Sequence, residues 1–141
     1  MEHKRSDFEI MAPVGSYESL MAAIESGANS VYFGIENLNM RSRSASNFTT
    51  DDLREIVKIC KENNIKSYLT VNTVIYNDDL DMMRKIIDTA KEVEVSAIIA
   101  ADVAAMLYAY KVGVEVHLST QLNIANVDAL KFYSQYADVV V

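Results

Sequence analysis

Apolar residues are arranged along this chain in two alternating patterns, one typical of strands and one typical of helices. Short apolar runs that stop at polar or turn residues predict six strands. Stretches between them carry apolar residues at three- and four-residue spacing, which predicts five helices. No two runs are joined by a hairpin signal, so successive strands should be connected through helices and lie parallel. The predicted strands are 8–12, 31–33, 68–71, 95–101, 114–118 and 139–141.

The predicted fold class is α/β, a partial parallel (β/α)8 barrel of the TIM type with about five strand-helix units plus a sixth strand. We expect residues 1–141 to be the N-terminal part of a single barrel domain, truncated at the C-terminus. The chain stops on three valines with nothing after them to cover an apolar strand. A doubly wound open sheet would give the same alternation. The barrel is favoured because polar residues follow every strand, whereas a doubly wound site would use mainly two strand ends.

Several helix ends have sequence signals. Thr49, with Asp52 three residues later, forms a capping box for the second helix. Asp102 is placed to cap the fourth helix, and Gly113 is expected to end it. The buried stripe predicted for this fourth helix consists of Val103, Met106, Leu107 and Tyr110.

Hydrogen-bonding and charged residues follow the predicted strands. In parallel α/β folds the carboxyl ends of the strands meet at one face, where the connecting loops converge on the ligand site. We therefore expect a polar pocket at that face. The candidate substrate-binding residues are Asn39, Arg41, Arg43, Asn47, Asn72, Asp102, His117, Ser119, Thr120 and Gln121.

Several candidates have a structural alternative. A helix cap alone explains Asp102, and a turn alone explains Asn72. His117 lies inside the fifth strand, so its side chain points either into the barrel or towards the helices. Arg41 and Arg43, two residues apart, belong either to a solvated loop or to a guanidinium clamp for a carboxylate or phosphate. The sequence assigns no catalytic residue.

Charge, composition and missing motifs limit the classes of function that this chain can have. A formal net charge of -7 argues against a broad basic surface for nucleic acid. No apolar run approaches the roughly 18 residues of a membrane span, so we expect no membrane partner and a cytoplasmic location. Cys60 is the single cysteine and lies in an apolar helical stripe, and no metal site is expected. The common phosphate-loop, zinc-protease and nucleophile-elbow motifs are absent.

Four stretches of the sequence carry a family resemblance. In their order along the chain they resemble the N-terminal barrel half of peptidase family U32, the collagenase-like peptidases, over residues 7–141. The resemblance places the ten candidate residues on the family's motif positions. It implies a protease or another hydrolase that binds a peptide or a small polar substrate. The stretches are MAPVGSYESLMAAIESGANSVYFG, NMRSRSASNF, LTVNT and VHLSTQLNIAN.

The same resemblance implies an alternative function. Other members look like proteins for oxygen-independent hydroxylation of tRNA, rRNA or a ubiquinone precursor, and several carry an iron-sulfur cluster. Their cluster cysteines lie downstream of the part present here, so we expect no cofactor within this segment. An iron-sulfur cluster and an RNA partner stay open for a full-length parent. A third alternative is an inactive binding or scaffold fragment, and we expect an isolated fragment to self-associate through its sheet edges.

Overall fold

The computed structural model describes residues 3–38 and 48–141. Within these ranges the chain forms one six-stranded sheet with α-helices between successive strands. The strands are β1 (Met11–Pro13), β2 (Ser30–Gly34), β3 (Lys66–Val71), β4 (Ala97–Ala100), β5 (Val116–Leu118) and β6 (Val139–Val140). The helices are α1 (Tyr17–Glu25), α2 (Thr50–Glu62), α3 (Leu80–Val93), α4 (Val103–Val112) and α5 (Val127–Tyr133).

The sheet has the strand order of a barrel. Each strand pairs in parallel with its neighbour in the sequence. A doubly wound sheet would reverse its strand order at a switch point, and the order β1-β2-β3-β4-β5-β6 has no reversal. The described chain is therefore a half-barrel of the TIM type, which confirms the predicted fold class. Because the strands all run the same way, their carboxyl ends lie along one edge of the sheet.

Alternate side chains of the strands enter two separate apolar clusters. Phe33 of β2 and Ile98 of β4 are fully buried in the main core, between the sheet and the helices. The opposite, inner face of the half-barrel carries a second and smaller cluster. It consists of Tyr68, Ala97 and Ile99, with Tyr32 packed against them. The register aligns Tyr32 with Tyr68 and Tyr68 with Ala97, so these side chains share one face.

The predicted helix ends are confirmed. Thr49 Oγ1 accepts a hydrogen bond from Asp52 N at 3.2 Å, and Asp52 Oδ2 accepts one from Thr49 N at 2.7 Å, which completes the capping box of α2. Gly113 ends α4 with a φ of 76°, a left-handed conformation that costs glycine little.

The buried stripe predicted for α4 is largely wrong. Met106 is buried as predicted, but Val103, Leu107 and Tyr110 are exposed, and the residues that share the buried face with Met106 are Ala105 and Ala109. This helix is apolar on most of its circumference, so apolar periodicity alone does not identify its inner face. The small alanine side chains let α4 pack closely against the sheet, which a stripe of larger residues would prevent.

We predict that the main core depends strongly on Phe33. Phe33→Ala should lower the free energy of unfolding of the full-length protein by about 3–5 kcal/mol, because it removes a fully buried ring and leaves a cavity. Phe132→Ala is the matched control, since Phe132 is 53% exposed, and it should change stability by no more than about 0.5 kcal/mol. Urea denaturation measures both, and equal effects would contradict the assignment of the core.

Candidate functional site

A hollow of about 240 Å³ opens on the inner face of the sheet, near the carboxyl ends of the strands. Strands β1 to β4, the segments after β3 and β5 and the last residue contribute to its wall, so it is a product of the half-barrel and not of one loop. It is lined by Met11, Tyr32, Thr70, Asn72, Ile99, Ser119, Thr120 and Val141.

The predicted residues Asn72, Ser119 and Thr120 come together in this hollow. Ser119 is held in place because its N–H donates to Ala100 O across the sheet at 2.8 Å. Its buried Oγ accepts a long hydrogen bond from Gln121 N, at 3.4 Å, and so caps a short 3-10 turn. Thr120 begins that turn and is exposed. The rim of the hollow therefore consists of neutral groups that can donate and accept hydrogen bonds.

Sequence reasoning missed five residues of the wall. The strand alternation could have found three of them, because Tyr32, Thr70 and Ile99 occupy the inward positions of β2, β3 and β4. The hydroxyl of Thr70 donates to Phe33 O at 3.1 Å, so it is bonded to the neighbouring strand. Met11 and Val141 complete the set. These additions make the lining of the hollow mainly apolar.

Asp102 does not line the hollow. Its Oδ1 accepts from Ala104 N at 2.8 Å and so caps α4, which confirms the helix-cap interpretation. Its Oδ2 accepts from Ile75 N at 3.0 Å and anchors the connection between β3 and α3. Both carboxylate oxygens are therefore engaged in holding loops at the carboxyl edge of the sheet.

His117 is buried on the inner face of β5, in register with Ile99 of β4, and its Nε2 is directed to the amino end of the half-barrel. Its Nε2 is 2.8 Å from Oε1 of Glu115, and its ring centroid lies 4.9 Å from that of Tyr68. Its bonding partner precedes β5, whereas the residues near β5 that line the hollow, Ser119 and Thr120, follow the other end of the strand. Hence His117, Ser119 and Asp102 do not form a hydrogen-bonded catalytic triad.

A polar network closes the amino end of the half-barrel next to His117. Tyr68 Oη donates to Glu9 Oε1 at 2.6 Å, and Lys66 Nζ donates to Glu9 Oε2 at 2.7 Å. Partial burial tends to raise the pKa of Glu9, but these two bonds and the positive charge of Lys66 outweigh it and lower the pKa to about 2. Burial, followed by the bond to Glu9, raises the pKa of Tyr68 above its usual range. Tyr68 is thus held as a neutral hydrogen-bond donor.

Gln121 is not among the residues that line the hollow. Gln121 is exposed within the 3-10 turn, and its carbonyl accepts from Asn123 Nδ2 at 3.2 Å. The other four, Asn39, Arg41, Arg43 and Asn47, lie outside the described residues.

The described residues provide few side chains suited to bind a metal ion. Within 3–38 and 48–141 there is no group of three or more His, Cys, Asp or Glu side chains suited to hold one. Cys60 is buried in the main core, and burial raises the pKa of its thiol to about 11. A thiol in that state is a poor nucleophile and a poor metal ligand at neutral pH. In the same ranges, no helix combines the length and the apolar character needed to cross a membrane.

Comparison with known proteins places this half-barrel among named relatives. The family model described as peptidase family U32 matches residues 15–141. A collagenase of Porphyromonas gingivalis is 70% identical over 136 residues, covering 96% of this chain and 33% of the relative. The tRNA hydroxylation protein P1 of Bacillus subtilis is 33% identical over 129 residues, covering 90% and 30%. The chain thus spans about a third of the length of these curated relatives.

A solved U32 peptidase structure has the same fold. It superposes with a TM-score of 0.76 at 15% identity, covering 99% of this chain and 60% of that one. An identity of 15% supports a shared fold only. The family assignment comes from the family model and the sequence relatives.

We predict that the network around Glu9 makes stability depend on acid pH. The folded-state pKa of about 2 lies below the ordinary 4.5, so Glu9 contributes stability above about pH 4.5 and loses it as the pH falls towards 2. Glu9→Gln should therefore destabilise the protein at pH 7, by about 1 kcal/mol or less because the side chain is 35% exposed, and the difference should vanish near pH 2.

Thermal unfolding of the Glu9→Gln protein between pH 2 and 7 measures this. Glu25→Gln is the control, since Glu25 is exposed at the end of α1, and it should change stability by less than about 0.5 kcal/mol throughout. A deficit in Glu9→Gln that persists undiminished at pH 2 would contradict the assignment.

We also predict that Asp102 is a structural residue. Asp102→Ala leaves the N–H groups of Ile75 and Ala104 without their acceptors, and should cost about 2–3 kcal/mol in the free energy of unfolding. Asn126→Ala at the start of α5 removes one comparable bond, to Ala129 N, and should cost about 1 kcal/mol. Denaturant titration compares the two, and a smaller loss for Asp102→Ala would refute the double anchor.

Proposed function

Because the chain belongs to peptidase family U32, we propose that it forms part of a peptide hydrolase whose substrate binds in the hollow at the carboxyl ends of the strands. The observation that carries this proposal is the 70% identity to a collagenase over 96% of the chain. At that identity the residues that line the hollow are expected to serve the same kind of ligand.

The chemistry of the rim supports a peptide substrate. Asn72 carries both a carbonyl oxygen and an amide NH₂, so it can pair with a peptide group as another peptide group would. Thr120 adds an exposed hydroxyl that donates and accepts. These neutral groups suit an uncharged backbone better than a phosphate, which would favour lysine or arginine.

Four further candidates enter the proposal in a different role. Arg41 and Arg43, with Asn39 and Asn47, are proposed to bind a carboxylate of the substrate, because paired guanidinium groups suit that geometry. Replacing both arginines by alanine in the full-length protein should raise KM. An unchanged KM would remove them from the site.

A second function is supported by a specific relative. The similarity to the tRNA hydroxylation protein P1 covers 90% of the chain, so hydroxylation of RNA is the alternative. An iron-sulfur cluster would accompany it, but the residues present do not fit one, since clusters are held by several thiolates and Cys60 is single and buried. Under this alternative the cluster ligands would come from outside residues 1–141.

A cytoplasmic location also belongs to the proposal. A single buried thiol suits a reducing compartment. Fractionation of cells that produce the protein would test it.

The rim is tested with the full-length protein acting on denatured collagen. Asn72→Ala combined with Thr120→Val should lower kcat/KM by about tenfold or more, because two hydrogen bonds to the substrate are lost. Asn63→Ala is the control, since Asn63 ends α2 at the opposite face of the barrel, and its kcat/KM should be unchanged.

The two functions are separated in the same preparation. Hydrolysis by the wild type that is lost in the double variant supports the peptidase. If the wild type hydrolyses no peptide, and hydroxylated nucleosides appear in RNA only when the protein is present, RNA hydroxylation would replace the peptidase as the proposed function.

A further inference from the structure

We infer that the hollow is a specificity pocket for one uncharged, apolar amino-acid side chain of the substrate, with Tyr32 as the residue that determines the preference. This inference rests on the proposed function, because it names the part of a peptide that enters the site.

The lining of the hollow is amphipathic. Asn72, Ser119 and Thr120 contribute hydrogen-bonding groups, whereas Met11, Tyr32 and Ile99 contribute apolar surface. A ligand that fills the hollow must therefore present both a hydrogen-bonding group and an apolar group. An amino-acid residue has this arrangement, since its amide groups and its side chain leave the same carbon.

The inner wall is built on a second apolar cluster. Tyr32 packs against Tyr68, Ala97 and Ile99, which are buried on the inner face of the sheet. Tyr68 in turn is fixed by its 2.6 Å bond to Glu9. The ring of Tyr32 is thus supported from behind and presents a rigid surface to the ligand. An aromatic wall of this kind binds apolar groups well and loses little conformational entropy.

The volume of the part of the pocket that the described residues form indicates the size of the guest. At about 240 Å³ the hollow is smaller than the roughly 300–1,000 Å³ of pockets that enclose whole small molecules. It accommodates a side chain of the size of leucine or phenylalanine but not a nucleotide. A charged side chain is disfavoured, because among the described residues that line the hollow none carries a charge of either sign to pair with it.

The experiment measures binding and hydrolysis separately on the full-length protein. Binding of N-acetyl amino-acid amides of glycine, leucine, phenylalanine and aspartate is followed by calorimetry, which requires no hydrolysis. Hydrolysis is followed with peptides that differ at one position by the same four residues. The wild type should favour leucine or phenylalanine over glycine by about tenfold or more, and aspartate should be no better than glycine.

Three variants test the role of Tyr32. Tyr32→Ala should reduce the preference of leucine over glycine to about twofold or less, whereas Tyr32→Phe should retain it, which shows that the ring and not a loss of folding is responsible. Ile99→Ala should shift the preference towards phenylalanine by enlarging the pocket. Tyr110→Ala on the exposed face of α4 is the control and should leave the preference unchanged.

The outcomes distinguish this inference from the proposed function. If the binding preference depends on Tyr32 but no peptide is hydrolysed, the specificity pocket is supported and the proposed peptidase function is wrong. If peptides are hydrolysed and the preference persists in Tyr32→Ala, the specificity pocket is wrong and the peptidase function is supported. Hydrolysis together with equal binding of all four amides would lead to the same conclusion.

Discussion

Parallel pairing of strands in their sequence order is the constraint on which the rest of this structure depends. It places all carboxyl ends along one edge, and it keeps the side-chain alternation of neighbouring strands in step. As a result Phe33 and Ile98 enter the core beneath the helices, while Tyr32, Tyr68 and Ile99 form a separate inner cluster. The hollow forms because residues that are distant in the sequence occupy paired positions on neighbouring strands of the sheet.

The two ends of the half-barrel have different chemistry. At the amino end, the charged groups Glu9, Lys66 and Glu115 are paired with hydrogen-bonding partners, and Tyr68 and His117 are packed between them. At the carboxyl end the hollow presents neutral groups on an apolar wall. The division follows the general rule that catalytic or binding groups of such barrels lie at the carboxyl ends, and stability determinants at the amino ends.

The sequence predicted the fold because its signals were local and consistent. The capping box at Thr49, the cap at Asp102 and the glycine after α4 each mark a boundary by hydrogen-bonding rules that need no tertiary information. The inner face of α4 could not be predicted in this way, because apolar residues surround that helix and only packing selects Ala105 and Ala109. The face on which His117 lies could not be predicted either, because it follows from the register that pairs His117 with Ile99 of another strand.

The candidate site was predicted in part for the same reason. Asn72, Ser119 and Thr120 were found because polar residues after apolar strands are conspicuous, whereas Tyr32 and Ile99 are ordinary strand residues until the register places them in the wall. A crystal structure of the full-length protein with a bound substrate peptide would show directly where the ligand lies. We expect a peptide side chain against the ring of Tyr32 and backbone amides beside Asn72 and Thr120. A peptide bound at the amino end of the strands, beside Glu9 and His117, would contradict this expectation.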